Sequence, residues 1–271
     1  MSDVTRPFVV IPCLNEEAAI ETLLRGVLAH CANVVVVDDG SSDHTADIVA
    51  QLPVVLVRHP ERRGKGEALR AGFREALRRG ATGVLTMDGD GQHAAADIPR
   101  ILAAARRFPD TLIIGARMLD RERQPNARRR ANAVADWGVS WGCGRPVADT
   151  QSGQRWYPQI AAELVDIGAQ DFVFEAAILI AAARDLEMPI VSIPIASRYD
   201  AGARHSHFRP VRDITRIVWF TFWRVVHYGH VVQSYRISHA TPPTIFDPDH
   251  RVPEPPQALP GIAGNPPPAR G

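Results

Sequence analysis

Gly83-Val84-Leu85-Thr86-Met87-Asp88-Gly89-Asp90-Gly91-Gln92-His93 runs from a short apolar strand straight into carboxylates. Alternate residues of an extended segment point the same way, so Asp88, Asp90 and Gln92 bring three oxygen-bearing side chains towards one point. Hard divalent cations such as Mg²⁺ or Mn²⁺ favour such a cluster, above all when a phosphate supplies the remaining ligands. An isolated Asp-x-Asp is most often a solvated turn, so the surrounding chain has to decide between the two readings.

Working outward, the same pattern recurs. Phe8–Ile11, Val34–Val37, Val54–Val57, Val84–Met87, Leu112–Gly115 and Ile190–Ile195 are short apolar or β-branched runs. Helical patterns separate the first five, over Glu16–His30, Ser42–Gln51, Gly64–Arg79 and Ala94–Phe108. Nearly continuous apolar strands alternating with helices predict an α/β fold with a doubly wound, mostly parallel sheet and helices on both faces. Ligands of such sheets bind beyond the carboxyl ends of the strands. Polar clusters lie at those ends here: Asn15-Glu16, Asp38-Asp39, Arg58 to Lys65 and Asp88 to Gln92. Four clusters on one rim favour an active site over four unrelated loops.

Val37-Asp38-Asp39-Gly40-Ser41-Ser42-Asp43 leaves a strand, turns at Gly40 and enters a helix, with Ser41 or Ser42 expected as its cap. Asp39 is placed to accept hydrogen bonds from a ribose or a base. Gly64-Lys65-Gly66 opens the next helix, where backbone N–H groups and the Lys65 ammonium suit a pyrophosphate. The chain carries neither G-x-x-x-x-G-K-[ST] nor G-x-G-x-x-G after its first strand, so P-loop and dinucleotide readings fail. The expectation is a nucleotide whose diphosphate is neutralised by a metal.

The ordered strings Val10-Ile11-Pro12-Cys13-Leu14-Asn15-Glu16-Glu17, Val37 to Thr45, Arg63-Gly64-Lys65-Gly66-Glu67-Ala68-Leu69, Met87 to His93 and Ile114-Gly115-Ala116-Arg117 resemble the family-2 glycosyltransferases. Within them the chain is similar to polyprenyl-phosphate sugar transferases related to dolichyl-phosphate mannose synthase. The resemblance spans roughly residues 7 to 210. It implies a GT-A fold, a GDP- or UDP-linked hexose as donor, Mg²⁺ or Mn²⁺ as cofactor, and inversion at the anomeric carbon. Carried onto this sequence, Pro12, Leu14 and Glu16 line the nucleoside pocket and Asp39 contacts base or ribose. Asp88 and Gly89 meet the donor, while Asp90 and Gln92, with Asp88 beside them, hold the metal. Arg117 faces the transferred sugar and the acceptor phosphate.

The second half is expected to build the acceptor side. Arg117, Arg121, Arg123, Arg128, Arg129 and Arg130 crowd fourteen residues before a helix over Ala131–Trp141. Arginine forks suit a phosphate, and Arg117, with Arg129 or Arg130, is assigned to it. Asp149-Thr150-Gln151-Ser152-Gly153-Gln154-Arg155 resembles the family's D-x-x-x-G segment beside the acceptor, and Phe172-Val173-Phe174-Glu175 its later aromatic-acidic element. Asp149 or Glu175 is a general base if the acceptor is a hydroxyl. An ionised phosphate needs none. Residues 197 to 210 resemble a closing loop in which Arg198 binds the diphosphate. His205 and His207 of that loop lack a carboxylate at ligand spacing, and the segment reads His-Ser-His-Phe-Arg-Pro where the lipid-phosphate synthases end in Ser-Lys.

Three regions follow: a catalytic domain over 1–210, an amphipathic aromatic-rich helix within 211–240 that ends near Arg236, and a tail over 241–271. That tail holds ten of the chain's 22 prolines, a composition expected to be disordered. The helix mixes Trp219, Trp223 and Tyr228 with Arg212, Arg216 and Arg224, which suits a membrane surface. Packing on the domain or on a second subunit of a homo-oligomer is the alternative. No run reaches the ~18 uninterrupted apolar residues of a spanning helix.

At 271 residues and 45% hydrophobic content the chain can bury a sizeable core. A net charge of +1 gives no general pull towards nucleic acid. Cys13, Cys31 and Cys143 form no C-x-x-C and suggest reduced thiols. The combined expectation is a metal-dependent inverting hexosyltransferase at the cytoplasmic face of the cell membrane, acting on polyprenyl phosphate or a related lipid-linked acceptor. A hydroxyl acceptor (a saccharide or glycolipid) is the alternative chemistry. A sugar-nucleotide-binding protein without turnover is the alternative of another class.

Overall fold

The apolar runs of the amino-terminal half pair with one another in a computed structural model that describes residues 4–91, 93–119, 126–169, 173–196, 210–229 and 231–247. Strands β1 (Pro7–Cys13), β2 (Val34–Asp38), β3 (Val55–Arg58) and β4 (Gly83–Thr86) lie parallel. The sheet continues through β5 (Leu112–Arg117), β6 (Arg155–Pro158) and β7 (Ile190–Ile195) to give seven strands in the order β3-β2-β1-β4-β6-β5-β7. Only β6 is reversed, antiparallel to β4 and β5.

Each strand feeds two cores. Val9 and Ile11 of β1 face one core, with Leu24 of α1 (Ile20–Leu28), Val49 of α2 (Thr45–Val49) and Ile101 of α4 (Ile98–Arg107). Phe8 and Val10 face the other, with Phe73 of α3 (Lys65–Arg78), Val139 of α5 (Asn126–Cys143), Ala161 of α6 (Gln159–Ala162) and Ile217 of α8 (Pro210–Tyr228). Helix α7 (Val173–Arg184) lies inside that second layer, buried on all sides except at its last residue, and α9 (Val231–Ala240) packs on α5 and α8. The doubly wound, mostly parallel sheet read from the sequence is the sheet observed.

Four local expectations are corrected. Strand β6 was not foreseen, because Arg155-Trp156-Tyr157-Pro158 has no apolar alternation, yet all four residues are buried. The helix expected to run to Arg236 breaks at Gly229, whose φ of 76° leaves the right-handed region, and α9 continues to Ala240. Neither Ser41 nor Ser42 caps α2. Asp43 accepts the Thr45 amide at 3.0 Å instead, and the serines bond elsewhere. The start of the Pro-rich tail is docked on the sheet, where Ser192 donates its amide to the Thr244 carbonyl and Phe246 returns one to Ser192, both at 2.9 Å. Phe246 is buried with its ring 5.0 Å from Phe108. Residues 248–271 lie outside the described residues.

Reversal of β6 has a consequence for function. Its first residue, Arg155, pairs with Thr86 and Ile114, so the preceding segment Asp149–Gln154 reaches the carboxyl rim of β4 and β5. Arg155 is 2% exposed and donates to the carbonyls of Ser152 (2.7 Å), Thr150 (2.6 Å) and Glu175 (3.3 Å). One guanidinium therefore ties that segment to α7. Replacing it leaves buried acceptors without donors. Arg155→Leu is expected to lower the unfolding free energy by about 3 kcal/mol in urea titration; a loss below about 1 kcal/mol would show that these bonds are replaceable.

Candidate active site

Because β1, β2, β4 and β5 are parallel, their carboxyl ends present Leu14–Glu16, Asp38–Asp39, Met87–Asp90 and Arg117 on one rim. The loops of that rim are laced together. Ser41 Oγ accepts the Asn15 amide at 2.9 Å, and Asn15 Oδ1 accepts the Ser42 amide at 2.8 Å. Thr45 Oγ1 accepts the Glu16 amide at 2.8 Å, and Glu17 Oε2 accepts the His44 amide at 3.1 Å. Pro12, Leu14 and Glu16 are half-buried at the exit of β1, and Gly89 is buried against the Pro12 carbonyl.

Asp39 is buried, and both of its oxygens serve the β3–α3 loop. Oδ1 takes His59 Nδ1 at 2.8 Å and the Arg63 amide at 2.9 Å, while Oδ2 takes the Gly64 amide at 2.8 Å. This fixes the start of α3, and hence Lys65. The Lys65 ammonium lies 2.7 Å from Asp88 Oδ1 and 3.0 Å from Glu175 Oε2. Helix α3, the β4 turn and helix α7 meet at that nitrogen. Burial opposes the Lys65 charge, but Asp88 and then Glu175 outweigh it and push the ammonium's pKa up. Burial likewise opposes the Asp88 charge, but Lys65 and then the His93 ring hold that carboxyl well below the usual range. Gly153 makes room for it: a Cβ there would fall 2.1 Å from Asp88 Oδ2. The glycine of D-x-x-x-G therefore serves the carboxylate of the rim turn.

A second pair lies beside the first. Arg117 donates Nε and Nη2 to Asp149 at 2.8 and 2.7 Å, and its amide adds a third bond at 2.7 Å. Both side chains are largely buried. Burial works against the Asp149 charge, yet the Arg117 fork lowers its pKa on balance. Asp90 is half-buried on the same turn as Asp88. Gln92, Arg121, Arg123, Phe172, Arg198, His205 and His207 lie outside the described residues. Arg129 and Arg130 are exposed at the start of α5.

Sequence reasoning missed three contributors. His93 is buried with Nε2 3.7 Å from Asp88 Oδ2, although it closes the string that drew attention to the rim. Arg155 looked like an ordinary charge. Asp136 of α5 gave no signal, yet it accepts both the amide and the hydroxyl of Thr150 at 2.7 Å and so anchors the residue next to Asp149. Beside the rim, a groove of about 680 Å³ runs along α3 from Glu67 past Arg74 and is walled by Val173, Arg216, Trp219 and Phe220.

The rim thus brings together an acidic turn, a buried ammonium–carboxylate bridge and an arginine–carboxylate fork at strand ends. The family model for glycosyl transferase family 2 matches residues 8–165. The chain belongs to this family. The transferase is 32% identical over 204 residues to the undecaprenyl-phosphate mannosyltransferase of Micrococcus luteus, covering 70% of this chain and 82% of that protein. It is 30% identical over 177 residues to the polyprenol monophosphomannose synthase of Mycolicibacterium smegmatis, covering 61% and 66% respectively. The transferase has the GT-A fold. Glucosyl-3-phosphoglycerate synthase from Mycobacterium tuberculosis, solved with Mn²⁺, UDP-glucose and phosphoglyceric acid, superposes with a TM-score of 0.61 at 19% identity, covering 82% of this chain and 80% of that one.

Asp136 yields a pH test. Burial, and then the Asp149 charge, raise its pKa from 3.8 to about 6, against the bonds from Thr150. Its neutral form is favoured in the folded state, so the stability it contributes below pH 3.8 is lost as pH rises through about 6. Asp136→Asn keeps an acceptor for Thr150 and removes the titration. The variant's unfolding free energy relative to wild type is expected to rise between pH 4 and pH 7. A difference that stays flat over that range would place Asp136 in ordinary solvent.

Proposed function

We propose that this transferase moves a hexose from a GDP- or UDP-linked donor to polyprenyl phosphate or a related lipid-linked phosphate at the cytoplasmic face of a membrane. The observation that carries the acceptor class is the fate of the two candidate bases. Asp149 gives both oxygens to Arg117, and Glu175 is held by Lys65. A hydroxyl acceptor needs a carboxylate free to take a proton, whereas an ionised phosphate needs a cation to orient it. Relatives named for undecaprenyl phosphate and polyprenol monophosphomannose support the same class.

On this reading the nucleoside lies between the β1 and β2 loops, against Pro12, Leu14 and Glu16. Asp39 contributes chiefly by fixing the loop that carries Lys65, with its remaining lone pairs available to ribose or base. Asp88 faces the transferred hexose and Arg117 the acceptor phosphate. Arg198 and the segment around it add to the diphosphate site.

Among the described residues no group of three or more His, Cys, Asp or Glu is arranged to enclose a metal. A half-buried Asp90 on the rim turn nevertheless fits a site that the protein fills only in part. Asp90 and Gln92 would hold Mg²⁺ or Mn²⁺, with phosphate oxygens of the donor completing its coordination. When bound, the metal offsets charge developing on the leaving nucleoside diphosphate.

Transfer from UDP- and GDP-linked hexoses to polyprenyl phosphate and to polyprenol separates the alternatives. Glu175→Gln is expected to keep phosphate transfer within about tenfold of wild type, since a true general base would be worth about 10²–10⁴-fold. Arg117→Ala should cost about 10–100-fold through lost charge-assisted bonds. Asp90→Ala should remove nearly all turnover while the fold survives. Transfer to polyprenol alone, abolished by Glu175→Gln or by Asp149→Asn, would establish a hydroxyl acceptor; donor binding with no transfer to either would leave a binding protein.

A further inference from the structure

Among the described residues ten large apolar side chains are substantially exposed, and eight of them lie on α5, α8 and α9. Trp219, Phe222 and Trp223 of α8, Trp137 of α5, and Val232 and Tyr235 of α9 are 40% to 63% exposed. Their rings form one continuous surface. Trp219 packs on Phe222 and Trp223 at 6.4 and 5.7 Å, Phe222 meets Trp141 at 6.4 Å, and Trp141 leads through Trp137 at 5.7 Å to Tyr235 at 6.2 Å. The opposite side of α8 is already spent on the core, because Ile217, Thr221 and Val225 are each 1% exposed. This helix is apolar on two sides, and among the described residues only one is buried in the core.

Charge selects the occupant. Arg129 and Arg130 of α5 and Arg236 of α9 are exposed. Among the described side chains of these helices the only carboxylate is Asp136, which is turned to Thr150. A second copy docking through this face would set Arg129, Arg130 and Arg236 against one another, with no exposed acid among the described side chains of these helices to meet them. An anionic lipid surface matches both features, because aromatic rings settle at headgroup depth while arginines meet lipid phosphates. No helix among the described residues is long and apolar enough to cross a membrane. Arg224, central in α8, is paired with Tyr228 at 2.7 Å and with half-exposed Asp185 at 3.6 Å.

We propose that the aromatic face shared by α5, α8 and α9 seats the enzyme on the surface of an anionic bilayer. Helix α5 reaches the rim through Asp136, which holds Thr150 beside Asp149, and α8 packs along α5 near Gly138. The seated face therefore flanks the acceptor end of the site, and Trp219 belongs both to it and to the groove along α3. The proposal rests on the lipid-acceptor reading for its purpose. Its test uses neither donor nor acceptor, so either can fail alone.

The full chain is mixed with vesicles of phosphatidylcholine, with or without phosphatidylglycerol, and sedimented; sedimentation velocity without lipid gives the oligomeric state. Binding to the anionic vesicles is expected, at least tenfold tighter than to neutral ones and weakened by salt. Trp219→Ser/Trp223→Ser on α8 and Val232→Ser/Tyr235→Ser on α9 should each weaken it about tenfold or more, with unchanged circular dichroism. A wild type that stays in the supernatant, binding that both variants retain, or a lipid-free dimer that both variants dissociate would overturn the proposal. A variant that loses its fold is replaced by the other, since each helix is tested separately.

Discussion

The Lys65 ammonium, 2.7 Å from Asp88 and 3.0 Å from Glu175, is the contact on which the site depends. Each partner comes from a different part of the chain: the first residue of α3, the turn after β4 and the first turn of α7. Desolvating three charges is expensive unless they satisfy one another. The surrounding structure reflects that cost: Asp39 spends both oxygens fixing the loop before Lys65, Gly153 clears space for Asp88, and Arg155 binds the Glu175 carbonyl. One ammonium against two carboxylates leaves a negative charge in excess, and His93 lies beside it. That balance supports the proposed site for a cation accompanying an anionic donor.

Much of what makes the amino-terminal strings recognisable is scaffolding for this contact. Asn15, Ser41, Ser42, Thr45 and Glu17 tie the β1 and β2 loops to each other through backbone amides. Their side chains are small or polar because each must reach a backbone group across a gap between loops. The position of the proposed nucleoside pocket would follow from that lacing as much as from any residue that lines it.

Strands β1 to β5 and β7 were legible because residues buried on both faces of a parallel sheet must be apolar, and the chain writes them as runs of Val, Ile and Leu. The site's location was legible for a related reason, since polar residues cluster where those runs end. Strand β6 was not legible: a buried arginine that spends its donors on carbonyls looks like a surface charge until those carbonyls are placed. The break at Gly229 was hidden because apolar periodicity persists across it. Docking of Phe246 on β7 was hidden because proline content hides a single backbone bridge. The Lys65–Glu175 pair joins residues more than a hundred positions apart, a distance that no local pattern spans.

A double-mutant cycle between Lys65→Met and Glu175→Gln, read as unfolding free energy in urea, addresses the central contact most directly, because the two side chains belong to α3 and α7, the halves that the proposal gives to nucleotide and acceptor. If the ammonium couples those halves, the double variant should differ from the sum of the single variants by about 1 kcal/mol or more. Additivity within about 0.5 kcal/mol would contradict the account, since separated, solvated charges would give that result.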